Sequence, residues 1–384
     1  MVSGYLHVEI ETHQYSKKPG KPCGDVVEFI RDENSTIVII SDGLGSGIKA
    51  NIAANMCIAR LKELIRGGFS LRHSFYNVVN TMEETKTKGI PYAVFTILKI
   101  LNDGNATVLS YEMPPPLILS QRSSNILQQR ISTVNNSIIG ASSCNLRIGE
   151  GILLMSDGLI NAGMGKSLKT GWGIEGVNEY IANMLSSGVN FSEIPEKLNF
   201  EAKRLWENNL YDDCSTVVAH CIKGRIINLL TGPPYDKSKD NEVVSKFLQN
   251  EGLKIVCGGT TAKIVANYLN KKLKLNETVE DEMTPPDYYI EGIDLVTEGA
   301  ITLNQLYNIW GEDDSKLEKD NVVTDLYILL NAVNRVNIFL GAAENPSAES
   351  IRYTQQGILK REKIVPLIAD KLRQAGKLVT IEYY

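Results

Sequence analysis

Apolar and polar residues alternate from Leu6 to Glu11, and β-branched runs follow at Val26 to Ile30 and Thr36 to Ile40, bounded by Gly, Asp and Asn. This pattern predicts three opening strands. Apolar positions then recur at helical spacing over Ile48 to Ile65 and Leu71 to Thr85, so two helices follow, the second beginning near Ser70. Strand patterns return at Tyr92 to Ile100 and Ala106 to Tyr111, with Asn102-Asp103-Gly104 as the turn between them. Pro114-Pro115-Pro116 interrupts before a strand at Leu117 to Ser120, and Gly151 to Met155 makes another. Helices are predicted for Gly173 to Ser187 and Phe191 to Asn208, and Val217 to Cys221 closes the segment.

Strands at both ends with helices between them predict an α+β domain whose helices cover sheet faces. Past Lys223-Gly224-Arg225 the rhythm becomes strand and helix in alternation. Ile226 to Leu230, Leu253 to Cys257, Val336 to Leu340 and Leu378 to Tyr383 read as strands; Asp240 to Glu251, Thr260 to Lys272, Val322 to Val333 and Glu362 to Gln374 read as helices. That alternation predicts a smaller α/β domain with a mostly parallel, Rossmann-like sheet. Domains are therefore expected at 1–223 and 224–384, which suits a chain of 384 residues.

Composition narrows the function classes. The content is 43% hydrophobic and 22% charged, as in an ordinary folded protein. A net charge of -5 and a pI near 5.6, without a long basic run, argue against nucleic acid as the main partner. Met1 to Glu11 lacks a basic segment followed by an apolar one, and no stretch reaches membrane-span length, so a cytoplasmic protein with no membrane partner is expected. The six cysteines form no Cys-x-x-Cys pair, and the four histidines do not cluster with them at zinc-ligand spacing.

Asp25, Asp42, Asp157 and Asp213 all stand at predicted strand ends, where carboxylates from different strands can converge at one sheet edge. A lone Asp-Gly is usually a tight turn, so each is an ordinary feature singly. Together, clustered carboxylates repel unless cations neutralise them, and hard divalent cations prefer such oxygen ligands. Two metals about 4 Å apart would relieve that repulsion and acidify a water between them for attack on phosphorus. Gly43 and Gly158 follow two of the aspartates, where a missing side chain lets a backbone carbonyl approach an ion.

Gly24-Asp25, Ile39-Ile40-Ser41-Asp42-Gly43-Leu44-Gly45-Ser46-Gly47, Leu153-Leu154-Met155-Ser156-Asp157-Gly158 and Asp213-Cys214-Ser215-Thr216-Val217-Val218 stand in a recognisable order. Over residues 5 to 222 the chain resembles the metal-dependent (type 2C-like) serine/threonine protein phosphatases, in the bacterial branch typified by stage II sporulation protein E. Met113-Pro114-Pro115-Pro116-Leu117, Ile138-Ile139-Gly140 and Ile148-Gly149-Glu150-Gly151 are similar to further segments of that branch. The resemblance implies a four-layer α-β-β-α sandwich and two divalent cations, Mn2+ or Mg2+. It implies that Asp42 bridges both, that Asp25 and the Gly43 carbonyl serve one, and that Asp157 and Asp213 serve the other. It further implies hydrolysis of phosphoserine or phosphothreonine on a bacterial signalling phosphoprotein, such as an anti-sigma-factor antagonist, without a covalent intermediate.

Eukaryotic relatives carry a histidine after the Asp-Gly; here that place is Leu44, as the bacterial branch also lacks it. Lys18 and Lys21 precede Asp25 and are the basic residues able to approach a bound phosphate, or are simply a solvated loop. Cys23 and Cys214 flank two expected ligands, as oxidisable thiols or as inert buried ones. The helices 48–65 and 70–85 resemble the pair through which the branch is switched, and their apolar faces also serve to cover a sheet.

In the second domain, Thr231-Gly232-Pro233-Pro234, Gly258-Gly259-Thr260-Thr261 and Gly341-Ala342-Ala343-Glu344-Asn345-Pro346 each follow a predicted strand. Such turns fall at the carboxyl edge of a parallel sheet, so a small-molecule or anion sensor that regulates the phosphatase is expected there. A helix start capped by Thr260 explains the second turn equally well. A homodimer is compatible with all of this. A catalytically silent partner-binding module and a phosphatase of small metabolites are the competing readings.

Overall fold

The computed structural model describes residues 5–45, 47–135, 137–209, 211–275, 287–313, 317–318, 321–343 and 357–384. It divides into two compact units: Leu6–Lys223, and Gly224–Tyr384 together with Tyr5.

The first unit opens with β1 (Leu6–Tyr15), β2 (Asp25–Arg31) and β3 (Ser35–Gly43), followed by α1 (Ile48–Arg66) and α2 (Leu71–Thr87). Strands β4 (Ala93–Leu101), β5 (Asn105–Tyr111), β6 (Leu117–Leu119), β7 (Ser124–Ile126), β8 (Arg130–Val134), β9 (Ser137–Asn145) and β10 (Gly151–Met155) come next. A one-turn helix α3 (Asp157–Ile160), α4 (Gly173–Ser186), α5 (Ile194–Leu205) and β11 (Cys214–Lys223) complete it. β2-β3-β4-β5-β9-β8 form one antiparallel sheet and β1-β11-β10-β6-β7 another.

Ile37, Val38, Ile39 and Ile40 of β3 are all buried, which requires a strand covered on both faces. One core holds β3, β4 and β5 with α1 and α2 and with Ile152, Leu154, Val217 and Ala219 of the second sheet. The opposite face of that second sheet, through Leu153, Met155 and Val218, packs against Val177 and Ile181 of α4 and Leu198 and Ala202 of α5. The fold is thus mixed α+β with antiparallel sheets, as expected from the element order.

Several elements differ from the sequence pattern. β7 and β8 are short or largely exposed, and β9 mixes serine with apolar residues, so no clean alternation announces them. The expected helix over 191–208 is a 3₁₀ turn, Phe191–Glu193, and then α5, because Pro195 suits a helix's first turn and not its interior. Asp157 opens α3 instead of sitting in a tight turn.

The second unit contains β12 (Ile226–Thr231), α6 (Asp240–Gln249), β13 (Leu253–Cys257), α7 (Gly259–Leu269), β14 (Lys274–Leu275), β15 (Asp287–Tyr289) and β16 (Leu295–Thr297). It continues through α8 (Ala300–Asn308), α9 (Val322–Ala332), β17 (Arg335–Leu340), α10 (Arg361–Gln374) and β18 (Leu378–Tyr383). The sheet order is β14-β15-β16-β13-β12-β17-β18. The last five of these are mutually parallel, and β14 and β15 extend one edge antiparallel. Val243, Phe247 and Val265 of α6 and α7 cover one face; Leu306, Leu326 and Ile364 of α8, α9 and α10 cover the other. β14, β15 and β16 are too short for a periodic signal, and α8 is likewise unannounced. The Gly341 turn is described only as far as Ala343; residues 344–346 lie outside the described residues.

Candidate metal centre

Two strand pairings assemble the acidic residues. β2 and β3 form a hairpin in which Asp25 faces Asp42. The Asp32 side chain fixes the turn by accepting the Asn34 and Ser35 amides at 2.8 and 2.7 Å. In the other sheet, β10 pairs with β11 up to Met155 and Thr216, and the Ser156 amide donates to the Ser215 carbonyl at 3.0 Å. Asp157 and the Asp212-Asp213 pair therefore lie just beyond the ends of neighbouring strands.

The two pairs meet through named bonds. Gln14 Nε2 donates to Ser215 Oγ at 2.8 Å and to the Asp25 carbonyl at 3.3 Å, so it links the two sheets beside the aspartates. Asp42 lies within hydrogen-bonding reach of Asp157 and feels the charges of Asp25, Asp157 and Asp212. Burial, followed by those charges, pushes its carboxyl well above the ordinary range. Burial likewise raises Asp25, against the opposing effect of the Ser215 and Ser156 hydroxyls. Neither hydroxyl closes a hydrogen bond to it: both Asp25 carboxylate oxygens are buried and accept none.

Asp213 behaves differently from its neighbours. Its Oδ1 accepts the Lys17 amide at 2.7 Å and its Oδ2 the Gly24 amide at 2.9 Å, so each carboxylate oxygen already holds a backbone donor. Asp212, which the sequence reading passed over, is half-buried beside Asp157, and burial and then that charge raise its carboxyl to about 6. The available signal was the Asp-Asp pair itself, since consecutive residues entering a strand point to opposite sides.

The glycines are positions of close approach. A Cβ on Gly43 would lie 2.0 Å from the Ala50 carbonyl oxygen, and one on Gly158 would lie 2.0 Å from the Asp213 carbonyl oxygen. Asn199 of α5, unmarked in the sequence, is fully buried. It donates to the His13 carbonyl at 2.8 Å and accepts from Thr216 Oγ1 at 2.7 Å, which seats the start of β11.

Lys18 and Lys21 are exposed on the loop whose Lys17 amide binds Asp213. Burial, followed by the Asp25 charge, pushes the Cys23 thiol up to about 12, and Cys214 is raised by full burial, so both stay protonated at neutral pH.

Among the described residues no three His, Cys, Asp or Glu side chains close into a formed metal cage. The donor set nevertheless fits a hard divalent cation: Asp25 offers two buried, unbonded oxygens, and three further carboxylates adjoin it.

Residues 32–222 match the family model described as stage II sporulation protein E (SpoIIE). No curated protein sequence matches the chain. Among solved structures, the phosphatase domain with a regulatory-domain fragment of SpoIIE from Bacillus subtilis is 18% identical, with a TM-score of 0.49. That match covers 57% of this chain and 65% of the other. The RsbU and RsbW domains of a Mycobacterium tuberculosis protein are 15% identical, with a TM-score of 0.47, over 64% of this chain and 69% of that one. RsbX, crystallised with magnesium, is 17% identical, with a TM-score of 0.42, over 56% of this chain and 96% of its own.

Proposed function

We propose, from the premise that residues 32–222 form a phosphatase domain of the SpoIIE family, that this chain hydrolyses phosphoserine or phosphothreonine on a bacterial signalling phosphoprotein with divalent cations as cofactors. The observation that carries the reading is Asp25, a buried carboxylate with no donor on either oxygen, set opposite Asp42. A carboxylate in that condition is stable only when protonated or when a cation is supplied.

In this reading Asp25, Asp42 and the Gly43 carbonyl would hold one Mn2+ or Mg2+, and Asp42, Asp157 and Asp212 would hold a second. Asp212 takes the ligand place that the family resemblance gave to Asp213. Asp213 becomes a positioning residue, anchoring the Lys17 loop and the Gly24 amide. Bound divalent cations would acidify water and offset the charge of a phosphoryl group. The chain's own part is to keep Asp42 between Asp25 and Asp157, and to hold Asp25 away from bulk water. The Leu44 side chain, after the Asp-Gly, offers no proton, so the leaving alkoxide takes its proton from water or from a group other than residue 44.

We read the layer order as α-β-β-α, supported by the apolar core shared between the two sheets and by the separate packing of α4 and α5 behind the second one. The second unit is assigned a regulatory sensor role on its parallel sheet and glycine turns.

The test is Mn2+-dependent phosphate release from a phosphoserine-bearing anti-sigma-factor antagonist by the full chain. Asp42→Asn and Asp157→Asn should each lower turnover at least ~100-fold. Full activity in either variant defeats the site. No hydrolysis by the unaltered chain, with tight binding of the phosphoprotein, would instead assign a silent partner-binding module.

A further inference from the structure

The strand order of the second unit reverses at β12. Later strands are added on one side as far as β16, and from β17 onward on the other. Ligands of open parallel sheets sit beyond the carboxyl ends of the strands at such a reversal. Here those ends are Thr231-Gly232 and Leu340-Gly341, and their loops touch: a Cβ on Gly341 would lie 2.1 Å from the Pro233 carbonyl oxygen.

Thr231 is fully buried, and its hydroxyl has no hydrogen-bond partner. Alternation along β12 puts its side chain on the face of Ile227 and Leu229, which share a core with Ile364 and Ile368 of α10. Arg361 opens that helix, and its guanidinium lies against the residue that follows Thr231: a Cβ on Gly232 would meet Nη1 at 1.6 Å. The guanidinium is half-buried, and its one hydrogen bond among the described residues is from Nη2 to the Ala343 carbonyl at 3.1 Å. The carboxylates near enough to act on it are Glu362, exposed on α10, and Glu298, which accepts the Ile301 amide at 3.3 Å. The α10 N-terminus has no side-chain cap. An underbonded guanidinium, an uncapped helix start and an enclosed free hydroxyl all call for a negatively charged acceptor.

We propose that Arg361, Thr231 and the first turn of α10 form an oxyanion site at the carboxyl edge of the second unit, for a small molecule bearing a phosphate or carboxylate group. This gives a ligand class to the sensor role assigned above. It rests on that reading for its regulatory consequence only.

Calorimetric titration of the full chain, stripped of metal by chelation and dialysis, tests it with inorganic phosphate in one arm and succinate in the other. Metal removal keeps phosphate from reporting on the aspartate centre. Saturable binding in either arm is expected, weakened at least ~10-fold in Arg361→Gln and at least ~3-fold in Thr231→Val. Thr231→Val keeps the side-chain shape and removes a hydroxyl without a partner, so its thermal midpoint should stay within about 2 °C of the unaltered chain. Absence of saturable binding in both arms, or equal binding by both variants, overturns the site. Binding that depends on Arg361 but leaves Mn2+-dependent turnover unchanged supports the site and removes the regulatory role instead.

Discussion

Asp213 accepts the Gly24 amide at 2.9 Å across 189 positions of sequence, and so fixes the point at which Asp25 enters the acidic cluster. Adjacent aspartates thereby differ in surroundings: both Asp213 oxygens hold backbone amides, whereas Asp212 accepts the Asp213 amide on Oδ1 at 3.0 Å and lies under the charge of Asp157.

The first prediction separates them. Asp213→Ala strands the Lys17 and Gly24 amides and should destabilise the first unit by about 2–4 kcal/mol, measured by urea unfolding. Asp212→Asn should leave the unfolding midpoint nearly unchanged and lower Mn2+-dependent turnover at least ~100-fold. An exchange of the two outcomes would assign the ligand role to Asp213 and the anchoring role to Asp212.

Backbone proximity supplies the second. Gly43→Ala drives a methyl into the Ala50 carbonyl, and Gly158→Ala into that of Asp213, each at 2.0 Å before relaxation. Neither partner is a flexible side chain, so each variant should lose about 1–3 kcal/mol and most of its turnover. Wild-type unfolding and kinetics in either would show that the strand ends give way freely.

Asn199 provides the third. Asn199→Ala leaves the Thr216 hydroxyl and the His13 carbonyl without their buried partner, so a loss of about 2–4 kcal/mol is expected by chemical denaturation. Turnover per folded molecule should fall as well, because β11 carries both aspartates into place. A neutral substitution would mean that α5 only covers the sheet.

The fourth concerns pH. Asp25, Asp42 and Asp212 have raised carboxyls in the folded chain, so the native state binds more protons than the unfolded one above the ordinary carboxylate range. Metal-free stability contributed by these groups is therefore full at low pH and declines as pH rises, for Asp212 through a window from about 4 to about 6. Mn2+ replaces those protons, so it should raise the thermal midpoint more at about pH 7.5 than at about pH 5.5. A larger metal effect at the lower pH would contradict the coupling.

Legibility in the sequence followed the length and regularity of each element. β1 to β5, α1, α2, β10 and the parallel strands β12, β13, β17 and β18 carry long apolar runs or clear periodicity, and their positions could be read directly. β7, β8, β14 and β15 could not, because a strand of two to five polar or mixed residues is held by its neighbours' hydrogen bonds and not by its own pattern. Asn199 was invisible for a similar reason: one amide on an apolar helix face acquires meaning only when β11 is laid against it.

The sequence alone placed Asp25 and Asp42 at the ends of two consecutive predicted strands; that those strands pair as a hairpin turned at Asp32, with Asp25 opposite Asp42, is a feature of the fold. The sequence likewise placed Asp157 and the Asp212-Asp213 pair at strand ends. Only the tertiary structure joined the pairs, because they belong to different sheets and meet through the packing of those sheets and the Gln14 and Asp213 contacts. It also decided which member of the Asp-Asp pair lies under the charge of Asp157 and which is claimed by backbone amides, because consecutive residues at the entry to β11 meet different neighbours once the sheets are packed.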